Sequence, residues 1–145
     1  MIQTETKKRY EVKVKYPNVV LGHTVTEVYC VSAFSFAEAE EKVMDAVSEY
    51  VDNGGAVDVQ SIVKLRYADF VHDDNEEADL PVFKVGMSLV TVDEKSGKEK
   101  KSHSGMLVRA KNITAAKAMV DDVMKKSVSE YKITFVTETP ILDVL

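Results

Sequence analysis

Apolar and polar residues alternate strictly along the early part of the chain. Tyr10, Val12, Val14 and Tyr16 fall on one side, with Glu11, Lys13 and Lys15 between them. A period of two is that of a strand with one buried and one wet face. Pro17, Asn18 and Gly22 break the alternation and predict a hairpin, after which TVTEVYCVSA, rich in β-branched and aromatic residues, predicts a second strand. The period then changes. Phe36, Ala39, Val43, Val47 and Tyr50 recur at helical spacing, and Glu38, Glu41, Asp45, Glu49 and Asp52 make an acidic opposite face. Ser35 followed by Glu38 has the capping-box spacing that starts a helix, and Asn53-Gly54-Gly55 supplies the glycines that stop one. A third strand is expected from about Val57 to Leu65.

The same order returns in the second half. Phe83, Val85, Met87 and Leu89 alternate, Asp93 to Lys101 forms a charged hairpin tip turning at Ser96-Gly97, and Ser102 to Ala110 makes the next strand. Ile113, Ala116, Val120 and Met124 repeat the helical stripe, and Tyr131 to Val136 is the last expected strand. VSAFSFAEAEEKVMDAV, from Val31, lies over VRAKNITAAKAMVDDVM, from Val108, at an offset of 77. IVKLRYADFV, from Ile62, lies over VTETPILDVL, from Val136, at an offset of 74, and the Asn53-Gly54-Gly55 insertion accounts for the difference. Matching elements in matching order predict an internal duplication.

The expected architecture is α+β: a single domain over 1–145, built as a tandem pseudo-two-fold ββαβ repeat. The first copy spans 9–71 and the second 82–145, with 72–81 as an acidic, solvated linker and residues 1–8 frayed. A repeat of about sixty residues struggles to bury its own sheet. Two copies are therefore expected to share one six-stranded, mainly antiparallel sheet with both helices on one face.

Composition narrows the function classes. The chain has 145 residues, 45% hydrophobic and 30% charged, in the range of a soluble globular protein. No apolar run approaches the ~20 residues of a membrane helix, and MIQTETKKRY has no apolar core of a secretory signal, so a cytoplasmic protein without membrane association is expected. A single cysteine, Cys30, excludes an intramolecular disulfide and a cysteine-cluster metal site, and with no basic neighbour in sequence it reads as a small buried hydrophobe. His23, His72 and His103 are scattered without metal-ligand spacing, so neither a metal nor another cofactor is expected.

Strand parity supplies the sharpest chemical expectation. If Tyr10, Val12, Val14 and Tyr16 face the helix with Phe83, Val85, Met87 and Leu89, the other face shows Arg9, Lys13, Lys15, Lys84, Lys101, His103 and Arg109, with Lys95 and Lys98 on the hairpin tip. A one-sided basic surface on a chain of net charge −5 is the footprint of a phosphate-backbone binder, and lysines on exposed strands also serve simply to protect sheet edges. The strand aromatics Tyr10, Tyr16 and Phe83 share parity with the core, so this face is expected to lack a base-stacking platform. Asp69 and Asp143 coincide under the duplication, either as two carboxylates of a shared cleft or as separate turn acceptors.

Tyr10-Glu-Val-Lys-Val, Val31-x-Ala-x-Ser-Phe-x-Glu-Ala-Glu, Asp93-Glu-Lys-Ser-Gly-Lys-Glu-Lys and Glu138-Thr-Pro-Ile-Leu-Asp-Val together resemble a family of domains of unknown function from gut Bacteroidetes and their phages. The resemblance covers nearly the whole chain. It implies a small cytosolic protein, carried by a phage or mobile element, and brings no catalytic residues. The expected function is a non-catalytic binding module for a protein partner, a second copy or a small ligand, acting through the sheet face or the cleft between repeats. The alternative is a single-stranded DNA-binding protein using the basic face.

Overall fold

The computed structural model describes residues 1–127 and 129–145. It is a mixed α+β fold in which the described residues form nine strands and two helices. The strands are β1 (Ile2–Thr6), β2 (Arg9–Asn18), β3 (His23–Ser32), β4 (Asp58–Lys64), β5 (Asp69–Asp73), β6 (Val82–Val92), β7 (Glu99–Arg109), β8 (Glu130–Glu138) and β9 (Ile141–Val144). Helix α1 is Phe36–Val47 and α2 is Ile113–Met124. In place of one six-stranded sheet there are two, ordered β1-β5-β7-β6-β8 and β4-β2-β3-β9. Each helix covers its own sheet, so the expectation of two helices on one shared face is corrected as well. Parity specifies which face of a strand is buried but not which strand lies beside it.

The chain divides into two compact units, Met1–Thr6 with Arg66–Thr139, and Lys7–Leu65 with Pro140–Leu145. Residues 72–81, expected as a linker, lie inside the first of these units.

In the unit containing Lys7–Leu65, β2 and β3 pair antiparallel over their full lengths, and β4 adds to β2 with a bulge between Lys13 and Val14. Strand β9 joins β3 in parallel, Val28 opposite Ile141 and Cys30 opposite Val144. The Leu145 N–H donates to Cys30 O at 2.7 Å, and the Ser32 N–H to Leu145 O at 3.2 Å. Helix α1 starts where Ser35 Oγ accepts the Glu38 N–H at 3.1 Å, and Glu38 Oε2 in turn accepts the Phe34 N–H at 3.0 Å. It ends at Val47, earlier than the glycines suggested, in a 3₁₀ turn over Ser48–Tyr50; Gly54, at φ +80°, serves the loop beyond. Its buried stripe is Ala39, Val43 and Val47 on Tyr10, Val12, Val14, Tyr29 and Val31. Phe36 remains half exposed, packed edge-on against the Tyr10 ring at 5.0 Å.

In the unit containing Arg66–Thr139, β6 pairs antiparallel with β7 over eleven residues and with β8 past a bulge between Gly86 and Met87. Strand β5 joins β7 in parallel, Phe70 opposite Leu107. Strand β1, from the segment expected to fray, pairs antiparallel with β5, and the terminal ammonium reaches Asp73 Oδ1 at 3.1 Å. Helix α2 is capped by Asn112, whose Oδ1 accepts the Ala115 N–H at 2.8 Å, and buries Ala116, Val120 and Met124 on Phe83, Val85, Met106 and Val108.

Certain bonds recur in the two units. The Ala33 N–H donates to Lys8 O at 3.2 Å, and the Ala110 N–H to Pro81 O at 3.1 Å. The Leu65 N–H donates to Arg9 O, and the Thr139 N–H to Val82 O, both at 2.9 Å.

Ile141 is the buried anchor of the four-residue strand β9. Ile141→Ala should lower unfolding free energy by about 2–5 kcal/mol in urea titrations. The same variant should speed labelling of the buried Cys30 thiol, because β9 pairs directly beside it. Wild-type labelling rates in the variant would mean that β9 is not what shields Cys30.

Candidate functional site on the five-stranded sheet

The face of the five-stranded sheet turned away from α2 is readable row by row from the register. Lys84 lies between Leu107 and Thr137, Gly86 between Gly105 and Phe135, and Ser88 between His103 and Lys132. The two glycines are directly paired. Neither has a positive φ, so they are not there for backbone freedom. Their role is the absence of a Cβ. One built at Gly105 would meet Tyr67 Cε1 at 2.6 Å, and one at Gly86 would collide with the Phe135 ring. A patch without side chains on adjacent strands thus accommodates two aromatic rings against the backbone.

Around these rings the charge is positive. Lys84 Nζ lies 4.9 Å from the Tyr67 ring centroid, a cation–π contact, and the Lys84, Lys101, His103 and Lys132 side chains are exposed. Phe135 is 42% exposed, enough for one ring face or edge to meet a ligand. The reading that this face lacks aromatics is therefore corrected: Tyr67 from the loop after β4, and Phe135 beyond the residue bulged out of β8, both reach it. The legible signal was Gly86 and Gly105, isolated glycines within strand patterns, which mark a close approach of another group to the backbone.

The other predicted basic residues separate by environment. Lys95 and Lys98 are exposed on the β6–β7 hairpin tip, and Lys13 and Lys15 are exposed on β2 of the other sheet. Arg9 and Arg109, expected on the open face, are buried. The Arg109 guanidinium lies over the Phe70 ring and donates Nη1 to the carbonyls of Ala78 and Leu80, so it anchors the acidic segment before β6. Arg9 lies beside Cys30. Burial pushes that thiol up to about 11, opposed by the Arg9 charge and its hydrogen bond. Cys30 thus has a basic neighbour in space that it lacks in sequence.

Asp69 accepts the Thr6 hydroxyl within the β1–β5 pair, and Asp143 Oδ1 accepts the Val144 N–H at 2.8 Å. Among the described residues no group of three or more His, Cys, Asp or Glu could hold a metal ion. Likewise, no helix is long and apolar enough to cross a membrane.

A second polar cluster lies on the helix side of the four-stranded sheet. Glu27 Oε1 accepts from Tyr16 Oη at 2.5 Å and from Tyr29 Oη at 3.0 Å, and Asn18 Nδ2 donates to Tyr16 Oη at 3.4 Å. Burial, reinforced by the Glu27 carboxylate, pushes Tyr16 up to about 12 and Tyr29 higher still. The cluster is a closed network of core-edge hydrogen bonds, with Asn18 Oδ1 also accepting the Val20 and Leu21 N–H groups of the hairpin.

The chain belongs to the family described as Domain of unknown function (DUF4494), whose model matches residues 8–145. No curated protein and no solved structure gives a significant match.

Two expected outcomes follow from this geometry. Gly86→Ala should destabilise the protein by about 1–3 kcal/mol in urea unfolding, because the new methyl collides with the Phe135 ring. In a Phe135→Ala background the same substitution should be close to neutral; equal costs in both backgrounds would refute the ring contact. For the phenols, the folded-state values exceed the unfolded value of 10, so their contribution to stability is complete below pH 10 and is lost as pH rises towards 12. Absorbance titration at 295 nm should show these two tyrosines ionising last, and Glu27→Gln should bring them down.

Proposed function

We propose that this member of the family is a non-catalytic binding module for single-stranded nucleic acid, and that the ligand lies across the outer face of the five-stranded sheet. The observation that carries the reading is the Gly86–Gly105 pair, with Phe135 and Tyr67 laid on it and Lys84 over the Tyr67 ring. An exposed aromatic ring offers any base a stacking partner, and Lys84, Lys101 and Lys132 offer cations to the phosphates that run past it. Unpaired bases suit this face better than duplex, because a flat sheet presents neither a helix nor a ribbon to a groove. An origin on a phage or mobile element, implied by the sequence resemblance, accords with such a ligand by association.

The two units read as copies of one motif, with the last strand of each copy completing the sheet of the other. The recurring bonds to Lys8 and Pro81 and to Arg9 and Val82 support this, as do bulges at Lys13/Val14 and Gly86/Met87. So do the parallel pairs Phe70 with Leu107 and Val144 with Cys30, which correspond under the sequence offsets. The duplication then supplies one scaffold twice, and the aromatic–basic face lies on the sheet of the second copy, with Tyr67 contributed by the first.

Fluorescence anisotropy with labelled oligo(dT) should show binding that weakens as salt rises. Phe135→Ala should weaken it about 5- to 50-fold, as expected for the loss of one stacked base. Lys84→Glu should weaken it and flatten the salt dependence, whereas Lys95→Glu on the hairpin tip should do less. Absence of binding at low salt would rule the reading out.

A further inference from the structure

A second site stands out in the unit containing Lys7–Leu65. A cavity of about 350 Å³ opens between the start of β2, the end of β3 and the first turns of α1, lined by Lys7, Lys8, Ala33, Phe34, Glu38 and Lys42. This volume is in the range of small-ligand pockets. Phe34 is 88% exposed, the most exposed large apolar side chain of the described residues. Its backbone is nonetheless held, because its N–H is bound to Glu38 Oε2 at 3.0 Å. Lys42 Nζ donates to Ser32 O at 2.7 Å and pairs with Glu38 at 3.2 Å, which ties the helix to the end of β3. The Lys8 carbonyl accepts the Ala33 N–H, which fixes the opposite wall. Lys7 and Lys8 themselves are exposed, and among the described residues neither ammonium is in an ion pair. At the helix start the Glu38 N–H is taken up by Ser35 Oγ, and the Phe34 N–H just before it by Glu38 Oε2. Lys7 and Lys8 supply the unpaired positive charge of the cavity wall.

We infer that this cavity binds a small planar anion of the nucleoside monophosphate class, its ring stacked on Phe34 and its phosphate held between Lys7 and Lys8. A wet phenyl ring on a fixed backbone is preorganised for stacking, and two lysines without carboxylate partners provide the charge a phosphate needs. The cavity beside Asn112 in the other unit shows the contrast. There Lys111 and Glu138 line the wall, and the helix-capping segment carries no exposed aromatic ring. The Phe34 site shares no residue with the sheet face proposed for nucleic acid.

The test is calorimetric and NMR titration of the full chain with AMP as the probe. Saturable binding is expected, weakened about tenfold or more by Phe34→Ala and by the Lys7→Glu/Lys8→Glu pair, and unchanged by Phe135→Ala. Because Phe34 is solvent-exposed, Phe34→Ala should keep the wild-type urea midpoint, so lost binding would not reflect unfolding. No saturation at millimolar AMP, full binding by Phe34→Ala, or loss on Phe135→Ala would each overturn the assignment. So would inorganic phosphate binding as tightly as AMP, since the ring would then play no part.

Discussion

Two short parallel pairings, β5 on β7 and β9 on β3, determine what the rest of the molecule can present. Each adds a strand to the edge of an antiparallel hairpin whose backbone groups would otherwise face water, β9 from far along the chain and β5 from just before its hairpin. On one side, β9 covers β3, buries Cys30 and sets Asp143 opposite Tyr29. On the other, β5 brings the preceding loop with it, and that loop lays Tyr67 on Gly105. The candidate face on the five-stranded sheet therefore depends on a strand pairing as much as on its own residues.

Charge and aromaticity divide the surface in an unforeseen way. Parity alone grouped seven basic strand residues on one open face, but burial separates them: Arg9 and Arg109 have become internal structure, and Lys84, Lys101 and His103 remain outside. A guanidinium can be buried when its donors are taken up, and Arg109 does this with the carbonyls of Ala78 and Leu80. What remains exposed is smaller but richer, because it includes the ring of Phe135.

Much of the local structure was legible in the chain. Alternation located β2 and β6, the run of β-branched and aromatic residues located β3, and the Ser35–Glu38 capping box located the start of α1, since these features depend on neighbours within a few residues. Strand β1 was missed because Ile2 is the only apolar residue of Ile2–Thr6, so its place comes from pairing with β5 and not from its own pattern. The division into two sheets was illegible for a related reason: a half-buried strand has the same alternation whichever strand lies beside it. Part of the candidate face could be read, namely Lys84, Lys101 and His103, while Lys132 and the two rings could not. Tyr67 lies in a loop, and the bulge in β8 puts Phe135 out of the simple alternation.

The passage of β9 into the first-formed sheet also bears on the order in which the protein can be made. A ribosome delivers Lys7–Leu65 early, with two long hairpin strands, a third strand and the helix they need. The edge of β3 nevertheless stays open until Ile141–Val144 emerges, after the whole of the other unit has been synthesised. During that interval Val28 and Cys30 line an unpaired edge, a template for any passing strand. The sheet stays half closed while everything between β4 and β9 is being made, and Ile141–Val144 is what closes it.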